Sequence, residues 1–212
     1  MNAARRLPRE FYARPTLAVA ADLIGKVLVH HTPGGRAAGR IVEVEAYIGE
    51  DDPACHAAPG PTRRNEPLYG VPGVAYVYLN YGIHCLTNVV TEREGFPAAI
   101  LLRALAPIEG LDLMRRRRAR SSGRSAESLA LAELCRGPGN LSKALGITLR
   151  DNRRDMLTSR LTIEDRGLTS HEVTWSPRIG IRVGADRPWR CYERGCECVS
   201  GSVRRVENVA AR

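Results

Sequence analysis

Lysine is nearly absent from this chain of 212 residues, and long apolar runs are missing altogether. Lys26 and Lys143 are the only lysines, so a mechanism that passes through a Schiff base has few amines to use. No segment approaches the roughly 18 consecutive apolar residues of a transmembrane helix. The N-terminus, Met-Asn-Ala-Ala-Arg-Arg-Leu-Pro, lacks the apolar stretch of a signal peptide. These absences predict a cytoplasmic protein that does not enter a membrane.

Cysteine is present, but its spacing is not that of a metal site or a disulfide framework. The six cysteines stand at positions 55, 85, 135, 191, 196 and 198. The last three lack the paired C-x-x-C spacing of a structural zinc site, and no second cluster of histidine and cysteine follows them. We therefore predict reduced thiols, as is usual in the cytoplasm, and no bound metal ion.

Positive charge, by contrast, is in excess. The sequence holds 32 basic and 23 acidic residues, which gives a formal net charge of +9 and a pI of about 9.7. This balance favours a polyanionic partner, most often nucleic acid. Part of the arginine excess is consistent with a GC-rich coding sequence, because alanine, glycine and proline are abundant as well. Arginine nevertheless offers planar contacts with several donors to a phosphate backbone.

One segment combines acidic side chains with an aromatic one. Residues 40–48 read Arg-Ile-Val-Glu-Val-Glu-Ala-Tyr-Ile, and as a strand they send Glu43, Glu45 and Tyr47 to one face. A strand buried on both faces would not carry two carboxylates, whereas a half-exposed strand at the floor of a cleft could. We therefore predict a half-exposed strand that floors a functional site, with His56 in the loop that follows.

Tyrosine is concentrated in a second segment, although aromatic residues make up only 5% of the chain. Four of the seven tyrosines lie within residues 69–81. Residues 74–90 resemble two β-rich runs around a turn at Tyr81, with Tyr76 and Tyr78 on one face. At the tip of such a hairpin the Tyr81 side chain would project. The alternative interpretation is a tyrosine-rich sheet core whose hydroxyl groups reach the rim.

The remaining chain alternates between short strands and short helices. We predict strands at 27–31, 40–48, 74–90 and 98–105, and helices at 17–25, 107–119, 129–135 and 137–145. Residues 49–72 are predicted to form an ordered loop whose length indicates a function. Arg103 interrupts an apolar strand and would be costly to bury unless it meets a carboxylate or a polar site. No repeat or linker divides the chain, so residues 1–212 are predicted to form one domain.

Two basic features leave alternatives open. The run Arg115–Arg118 lies at the C-terminal end of a predicted helix, where cations suit the helix dipole. A solvated helix end therefore explains it as well as a DNA contact does. The turn at Gly137 leads into a helix whose first N–H groups could hold a phosphate, but Gly-Pro turns are common.

Several motifs follow one another in a specific order and spacing. They are Glu45-Ala-Tyr47 with His56, Thr62-x-Arg64-Asn65, Tyr76-Val-Tyr78-x-x-Tyr81-Gly82, Asn88, Leu101-Leu-Arg103-Ala-Leu, Gly137-Pro-x-x-Leu and Arg178-Ile-Gly. In this order they resemble the methylpurine DNA glycosylase family, of the alkyladenine or 3-methyladenine type. The resemblance extends from about residue 10 to about residue 200. No single motif is decisive, but the matching order makes the set highly specific.

The resemblance implies an enzyme that removes alkylated or deaminated purines from duplex DNA by hydrolysing the N-glycosidic bond, and so begins base excision repair. It implies no metal and no cofactor. A base inside a duplex is out of reach, so such an enzyme rotates the nucleotide into a pocket and fills the gap in the stack. Tyr81 matches the family's inserting tyrosine. The implied partner is double-stranded DNA with a damaged purine, bound by a monomer at the nucleoid of a bacterial cytoplasm.

The resemblance also implies roles for single residues. Glu45 matches the general base that activates the attacking water, and Arg103 matches the arginine that positions this water and keeps Glu45 charged. Glu43 is interpreted as structural. In the implied base pocket, Tyr47, His56 and Tyr78 form a stacking sandwich, and Tyr76 lies beside it. Asn88 discriminates against the amine of guanine, and Leu101 forms a wall of the pocket. The main-chain carbonyl of Ile179 contacts the attacking water. The implied DNA-binding residues are Tyr81, Arg64, Asn65 and Gly137.

The implied fold is mixed α/β, with a curved, mostly antiparallel sheet, peripheral helices and a protruding hairpin that inserts Tyr81 into DNA. The lysine shortage predicts a monofunctional enzyme that leaves an abasic site and does not nick the strand. Two departures from the family pattern are Arg63, where proline is common, and Asn140, where lysine is frequent. Both concern backbone or phosphate contacts, so they affect the expected DNA affinity and not the reaction type.

Two other classes of function stay open. A small-molecule nucleoside hydrolase would share the cleft of Glu45, Tyr47 and His56 but would need no inserting hairpin. A non-catalytic module for damaged DNA would keep salt-sensitive binding after Glu45→Gln. The sequence does not rank 3-methyladenine, 7-methylguanine, hypoxanthine and ethenoadenine as substrates, because the width of a pocket depends on how the backbone is placed.

Overall fold

The backbone is organised around one antiparallel sheet. The computed structural model describes residues 4–168 and 172–201. Residues 1–3, with which the N-terminal stretch considered above begins, lie outside the described residues, as do 169–171 and 202–212. In the described part the strands are β1 (Arg5–Arg6), β2 (Val27–Thr32), β3 (Gly35–Ile48), β4 (Ala75–Asn80), β5 (His84–Val90), β6 (Ala98–Glu109), β7 (Leu161–Asp165), β8 (Val173–Ser176) and β9 (Arg190–Glu193).

The strands are arranged in the order β1-β7-β2-β3-β6-β5-β4, and β9 joins β3 to β8. The helices among the described residues are α1 (Arg9–Tyr12), α2 (Thr16–Leu23), α3 (Leu111–Ser122) and α4 (Pro138–Leu145), with 3-10 turns at Glu66–Tyr69, Leu131–Glu133 and Leu149–Asp151. The predicted mixed α/β fold around a curved antiparallel sheet is therefore confirmed. Within residues 4–168 and 172–201, no helix is both long enough and apolar enough to cross a bilayer.

The longest strand, β3, lies at the centre of this arrangement. One of its edges pairs with β6. The other edge pairs with β2 over residues 35–40 and with β9 over residues 43–45. Because β3 has partners on both edges, its backbone groups there are hydrogen-bonded without solvent, and residues 43–46 can be buried.

One face of the sheet carries the apolar core. Leucines and other apolar side chains of α2 and α4 pack there against the inward-facing residues of β3 and β6. The members include Val19, Leu23, Ile41, Val44, Ile100, Leu102, Leu141 and Leu145. Each such side chain contributes about 1.5–3 kcal/mol when it is fully buried. The helices therefore cover this face and leave the opposite face, which carries Glu45 and Tyr76, for a site.

Glycines define the limits of α4. Gly137 precedes the helix with φ of 90°, which a residue with a Cβ rarely adopts, and Pro138 occupies the first turn. Gly146 ends the helix with φ of 72°. The predicted turn that leads into a helix at residues 137–145 is confirmed.

Two predicted helices differ from the structure. The helix predicted at 107–119 begins only at Leu111, because β6 continues to Glu109, which pairs with Ala38. The helix predicted at 129–135 is a single 3-10 turn. Leu129 and Leu134 are buried in the core, so their spacing reflects tertiary packing and not a helical period.

Candidate active site

The sheet register lines up polar and aromatic residues across five strands. Tyr76 on β4 lies opposite Asn88 on β5, which lies opposite Leu101 on β6. Leu101 lies opposite Glu45 on β3, which lies opposite Arg190 on β9. Directly opposite residues of antiparallel strands point to the same face of a sheet. This row therefore forms a floor on the face that the helices leave uncovered.

Glu45 is completely buried and accepts three hydrogen bonds. Its Oε2 atom accepts from the Tyr47 hydroxyl at 2.9 Å and from Arg103 Nη1 at 3.1 Å. Its Oε1 atom accepts from the main-chain N–H of Ile179 at 2.7 Å. A buried carboxylate needs partners of this kind, because desolvation without them is costly.

Arg103 connects Glu45 to a second carboxylate. Its Nε atom donates to Glu43 at 2.9 Å and its Nη2 atom to Ser200 at 3.0 Å. Burial by itself lowers the pKa of Arg103, but the charges of Glu45 and Glu43 leave it raised. Glu43 also accepts from Arg190 Nε at 2.7 Å. The expectation that a buried arginine must meet a carboxylate is confirmed.

The prediction of a half-exposed β3 is wrong. Glu43 and Glu45 are both 0% exposed, and β3 is buried on both faces around them. The two carboxylates can be buried because cations compensate their charge. Arg103 and Arg190, on the two strands that flank β3, supply these cations.

A cavity of about 300 Å³ lies over this floor. Ligand pockets span about 300–1,000 Å³, so the volume suits a small ligand. Its lining includes Tyr47, His56, Tyr76, Tyr78, Asn88, Leu101, Arg103, Pro138, Ile179 and Ile181. The three residues that donate to Glu45 all line it, so the carboxylate lies directly beneath the cavity wall. Every base-pocket residue predicted above is among the lining residues.

The aromatic side chains form one continuous wall. The rings of His56 and Tyr78 have centroids 4.5 Å apart, inclined at 62°. His56 Nδ1 also lies 2.8 Å from the Tyr76 hydroxyl. No flat base fits between His56 and Tyr78 at that separation. These two rings therefore lie on the same side of any base that the cavity holds, and the sandwich of Tyr47, His56 and Tyr78 stays a prediction.

Burial favours the neutral forms of the titratable groups in this wall. Burial, and secondly the nearby Arg64, lower the pKa of His56. Burial raises the pKa of Tyr76 to about 12. Burial, followed by the charge of Glu45, raises the pKa of Tyr47 well above its ordinary value. At neutral pH the wall thus presents an uncharged imidazole and hydroxyl groups that can donate.

Tyr81 lies in the turn between β4 and β5, at the edge of the cavity. Its side chain is 86% exposed, and that of Ile83, two residues on, is 68% exposed. Tyr81 has φ of 49°, in the left-handed region that side chains usually avoid. An exposed aromatic side chain on a strained turn has no packing role in the described residues. That the hairpin protrudes and inserts Tyr81 into DNA stays a prediction.

Comparison with known proteins identifies the family. The sequence pattern described as methylpurine-DNA glycosylase matches residues 10–197. The chain belongs to the methylpurine-DNA glycosylase family. Three similar proteins carry the name "Putative 3-methyladenine DNA glycosylase". The protein from Methanocella arvoryzae is 48% identical over 198 residues, which cover 92% of this chain and 95% of that protein.

The other two relatives are similar over nearly their whole length. The protein from Rubrobacter xylanophilus is 47% identical over 192 residues, which cover 90% of this chain and 95% of that protein. The protein from Chlorobium phaeobacteroides is 43% identical over 198 residues, which cover 92% and 96%. The methylpurine-DNA glycosylase resemblance inferred from the motifs is therefore confirmed.

Asn65 of this methylpurine-DNA glycosylase was expected at the DNA surface, but it lies inside a loop. Its side chain is 1% exposed. The amide nitrogen donates to the carbonyls of His56 at 2.7 Å and Gly60 at 2.9 Å, and the amide oxygen accepts from Thr62 N at 2.6 Å. Asn65 thus shapes the loop that carries His56. Arg64 stays near the cavity, with its guanidinium 5.6 Å from the Tyr78 ring centroid.

The arginine run of α3 is partly structural. Arg117 donates to the Ala144 carbonyl at 3.1 Å and so caps the C-terminal end of α4. Arg118 is buried, and Arg115 lies 3.5 Å from Asp112. Arg116 remains exposed. Arg117 and Arg118 therefore belong to the fold, whereas Arg115 and Arg116 keep surface that a DNA backbone can reach.

The sequence motifs did not indicate several residues that surround the site. Ser200 and Arg190 contact Glu43, and Asp52 forms a buried ion pair with Arg178. Arg178 carried a signal, since it opens a family motif, but nothing in the sequence linked it to Asp52, 126 residues away. Among residues 4–168 and 172–201 there is no group of three potential metal ligands, and all six cysteines are free thiols.

Proposed function

We propose that this chain is a DNA glycosylase that excises alkylated purines, and deaminated ones, from duplex DNA by hydrolysing the N-glycosidic bond. The names of its relatives support the 3-methyladenine class of substrate. The observation that carries the proposal is the buried Glu45 carboxylate beneath a base-sized cavity, held by three donors that line it. Action as a one-domain monomer at the nucleoid of a bacterial cytoplasm belongs to the same proposal.

Hydrolysis needs a water molecule at C1′ and a group that takes its proton. In the proposal Glu45 is this general base, and its negative charge also stabilises the oxocarbenium-like sugar of the transition state. Arg103, which donates to Glu45 and lines the cavity, orients the carboxylate and the water. The main-chain carbonyl of Ile179 is proposed to hold the same water. The neutral amide of Asn88 at the floor is proposed to exclude bases that carry the amine of guanine.

Recognition of the base is proposed to rest on stacking. A flipped purine would stack on the aromatic wall of Tyr47, His56 and Tyr78, and each such contact contributes about 1–3 kcal/mol. An alkylated purine that carries positive charge stacks more favourably still. Tyr81 would fill the gap in the duplex from its exposed turn. Arg64 and the first turn of α4 after Gly137 would contact the backbone phosphates.

The enzyme is proposed to be monofunctional. A lyase step through a Schiff base needs an amine beside C1′. Lys26 lies 2.7 Å from Asp165 at the β2–β7 edge, and Lys143 lies on α4. Neither lysine is among the residues that line the cavity. The expected product is an abasic site in an intact strand.

Duplexes that each carry 3-methyladenine, 7-methylguanine, hypoxanthine or ethenoadenine test the proposal. Purified protein should release the free base from at least one of them and leave an alkali-labile site, and Glu45→Gln should lose this activity. Wild-type protein that binds these duplexes but releases no base would support a binding module instead. Activity on free nucleosides that Tyr81→Ser leaves unchanged, without activity on duplexes, would support a nucleoside hydrolase.

A further inference from the structure

Arg178 is the most completely enclosed cation near the site. Its side chain is 0% exposed and forms a two-pronged ion pair with Asp52, with Nη1–Oδ2 at 2.5 Å and Nη2–Oδ1 at 2.7 Å. Nη1 also donates to the Ala46 carbonyl at 3.0 Å, and Nη2 to the Gly184 carbonyl at 3.2 Å. Four hydrogen bonds thus fix the guanidinium in position and angle.

Two of the three hydrogen bonds that Glu45 accepts come from groups next to Arg178. The guanidinium carbon lies 4.7 Å from the centroid of the Tyr47 ring, whose hydroxyl donates to Oε2. The second donor is the N–H of Ile179, the residue that follows Arg178 in the chain. The bond to the Ala46 carbonyl attaches the same guanidinium to β3 between Glu45 and Tyr47.

Asp52 connects this arrangement to the loop that carries His56. Its Oδ1 accepts from Ala54 N at 3.2 Å, and its Oδ2 accepts from Ile48 N at 3.4 Å. The Asp52 carbonyl accepts from Cys55 N at 2.8 Å. The acidic partner is therefore built into the turn immediately before His56.

We propose that Arg178 and Asp52 form a positioning pair that holds the Tyr47 hydroxyl, the Ile179 main chain and the His56 loop at their distances from Glu45. This inference rests on the proposed function, because it concerns the alignment of Glu45 for attack on C1′. Neither residue lines the cavity, so the pair acts through its neighbours. It was not among the residues that the family motifs assigned to the reaction.

A buried ion pair can fix the orientation of its neighbours, which is the physical reason for this role. Replacing both partners of such a pair by apolar residues is often neutral or stabilising, whereas removing one partner is destabilising, so stability alone does not explain why the pair is present. Its two-pronged geometry does restrict orientation. Alignment errors of about 1 Å at a reacting centre can lower a rate about 100-fold. A pair that sets two of the three contacts of a general base therefore acts on rate more than on binding.

Arg178→Lys and Asp52→Asn test this inference, with Arg166→Lys as a matched control. Lysine keeps the charge but loses the planar fork. Arg166 also forms an ion pair of two contacts, from Nε at 2.8 Å and Nη2 at 2.7 Å to one oxygen of Glu164 on the far strand β7. We measure the single-turnover rate constant for base release and the half-saturating concentration of a duplex with one damaged purine. An active-site titration corrects for the folded fraction.

The single variants should lower the rate constant about 100-fold and leave the half-saturating DNA concentration unchanged. The double variant should be no slower than either single one, because the two residues act as a unit. The control should keep the wild-type rate constant. Corrected rate constants equal to wild type, or losses that appear only in DNA binding, would overturn the inference while leaving the proposed function intact. A wild-type protein that releases no base from any duplex would overturn both.

Discussion

Glu43 and Glu45 lie two residues apart on one strand, and both are completely buried, yet their surroundings differ. Glu43 accepts four hydrogen bonds, from Arg103, Arg190 and the side chain and main chain of Ser200. All of these groups enclose it within the protein. Glu45 accepts three, and each donor belongs to a residue that lines the cavity.

The difference shows how one strand can carry a structural and a chemical carboxylate side by side. Arg103 contacts both, so the charge of Glu43 helps to hold the cation that Glu45 uses. Glu43 is surrounded by fixed donors, whereas Glu45 lies at the boundary of a space that a ligand can enter. The same substitution at the two positions should therefore change different properties.

Glu45→Gln should have the largest effect on catalysis. Glutamine keeps the shape but cannot take a proton from water, and a general base contributes about 100- to 10,000-fold to a rate. The single-turnover rate constant for release of a damaged purine should fall by that factor. The unfolding midpoint in urea should also fall, but less than in Glu43→Gln, because Arg103 keeps Glu43 as a counter-charge and the amide nitrogen would face one donor, the Ile179 N–H. A rate constant near wild type would remove Glu45 from the role of base.

Glu43→Gln should have the largest effect on stability. The amide nitrogen would face either the Ser200 N–H or the arginine donors, and the buried cations would lose their counter-charge. Breaking a buried ion pair costs about 3–5 kcal/mol. Urea unfolding measures this loss, with Glu45→Gln as the matched control. An unfolding free energy equal to wild type would contradict the structural role of Glu43.

Tyr47→Phe should have an intermediate effect on rate. It removes one hydrogen bond to Glu45 and keeps the ring against Arg178. A hydrogen bond to a charged group contributes about 1.5–3 kcal/mol, so the single-turnover rate constant should fall at least about tenfold. Binding of the damaged duplex should stay unchanged, because the stacking surface remains. Weaker binding of the duplex without a slower rate would show that the Tyr47 hydroxyl contacts the bound DNA and does not support Glu45.

Ser200→Ala should have the smallest effect. The hydroxyl accepts from Arg103 and donates to Glu43, but the Ser200 N–H still donates to Glu43 after the substitution. Hydrogen bonds to charged groups contribute about 1.5–3 kcal/mol, and the remaining partners of Arg103 and Glu43 should keep the net cost near the lower end of that range. Thermal unfolding should reveal a modest decrease with a nearly normal rate constant. A rate loss as large as that of Tyr47→Phe would mean that Ser200 governs the position of Arg103.

Local patterns in the sequence predicted the elements well where periodicity and turn residues agree. The alternation in β3 put Glu43, Glu45 and Tyr47 on one face, and Gly137-Pro138 marked the start of α4 correctly. The helix predicted at 129–135 was wrong: Leu129 and Leu134 are buried by tertiary packing, and only a 3-10 turn forms between them. The end of a strand that is fixed by pairing with another strand, such as the extension of β6 to Glu109, cannot be predicted from the local sequence.

The site was predictable only as a set of residue types. The motifs named Glu45, Arg103 and the aromatic residues; Arg103 and the aromatic residues line one cavity, and Glu45 is hydrogen-bonded to that lining. They did not reveal that the Asn65 side chain is hydrogen-bonded within its own loop or that the His56 ring lies against the Tyr78 ring. Contacts such as Asp52 with Arg178 join residues far apart in the chain, and no local pattern encodes them.

The sequence by itself determined the charge, the shortage of amines, the alternation of β3 and the order of motifs that identifies the family. The tertiary structure alone decided that two carboxylates are buried, which cations match them and which one lies at the cavity. The physical reason is that alternation selects the face of a strand, whereas register and burial depend on neighbouring strands. Because β6 and β9 bring Arg103 and Arg190 to both sides of β3, a segment that looked half exposed is enclosed.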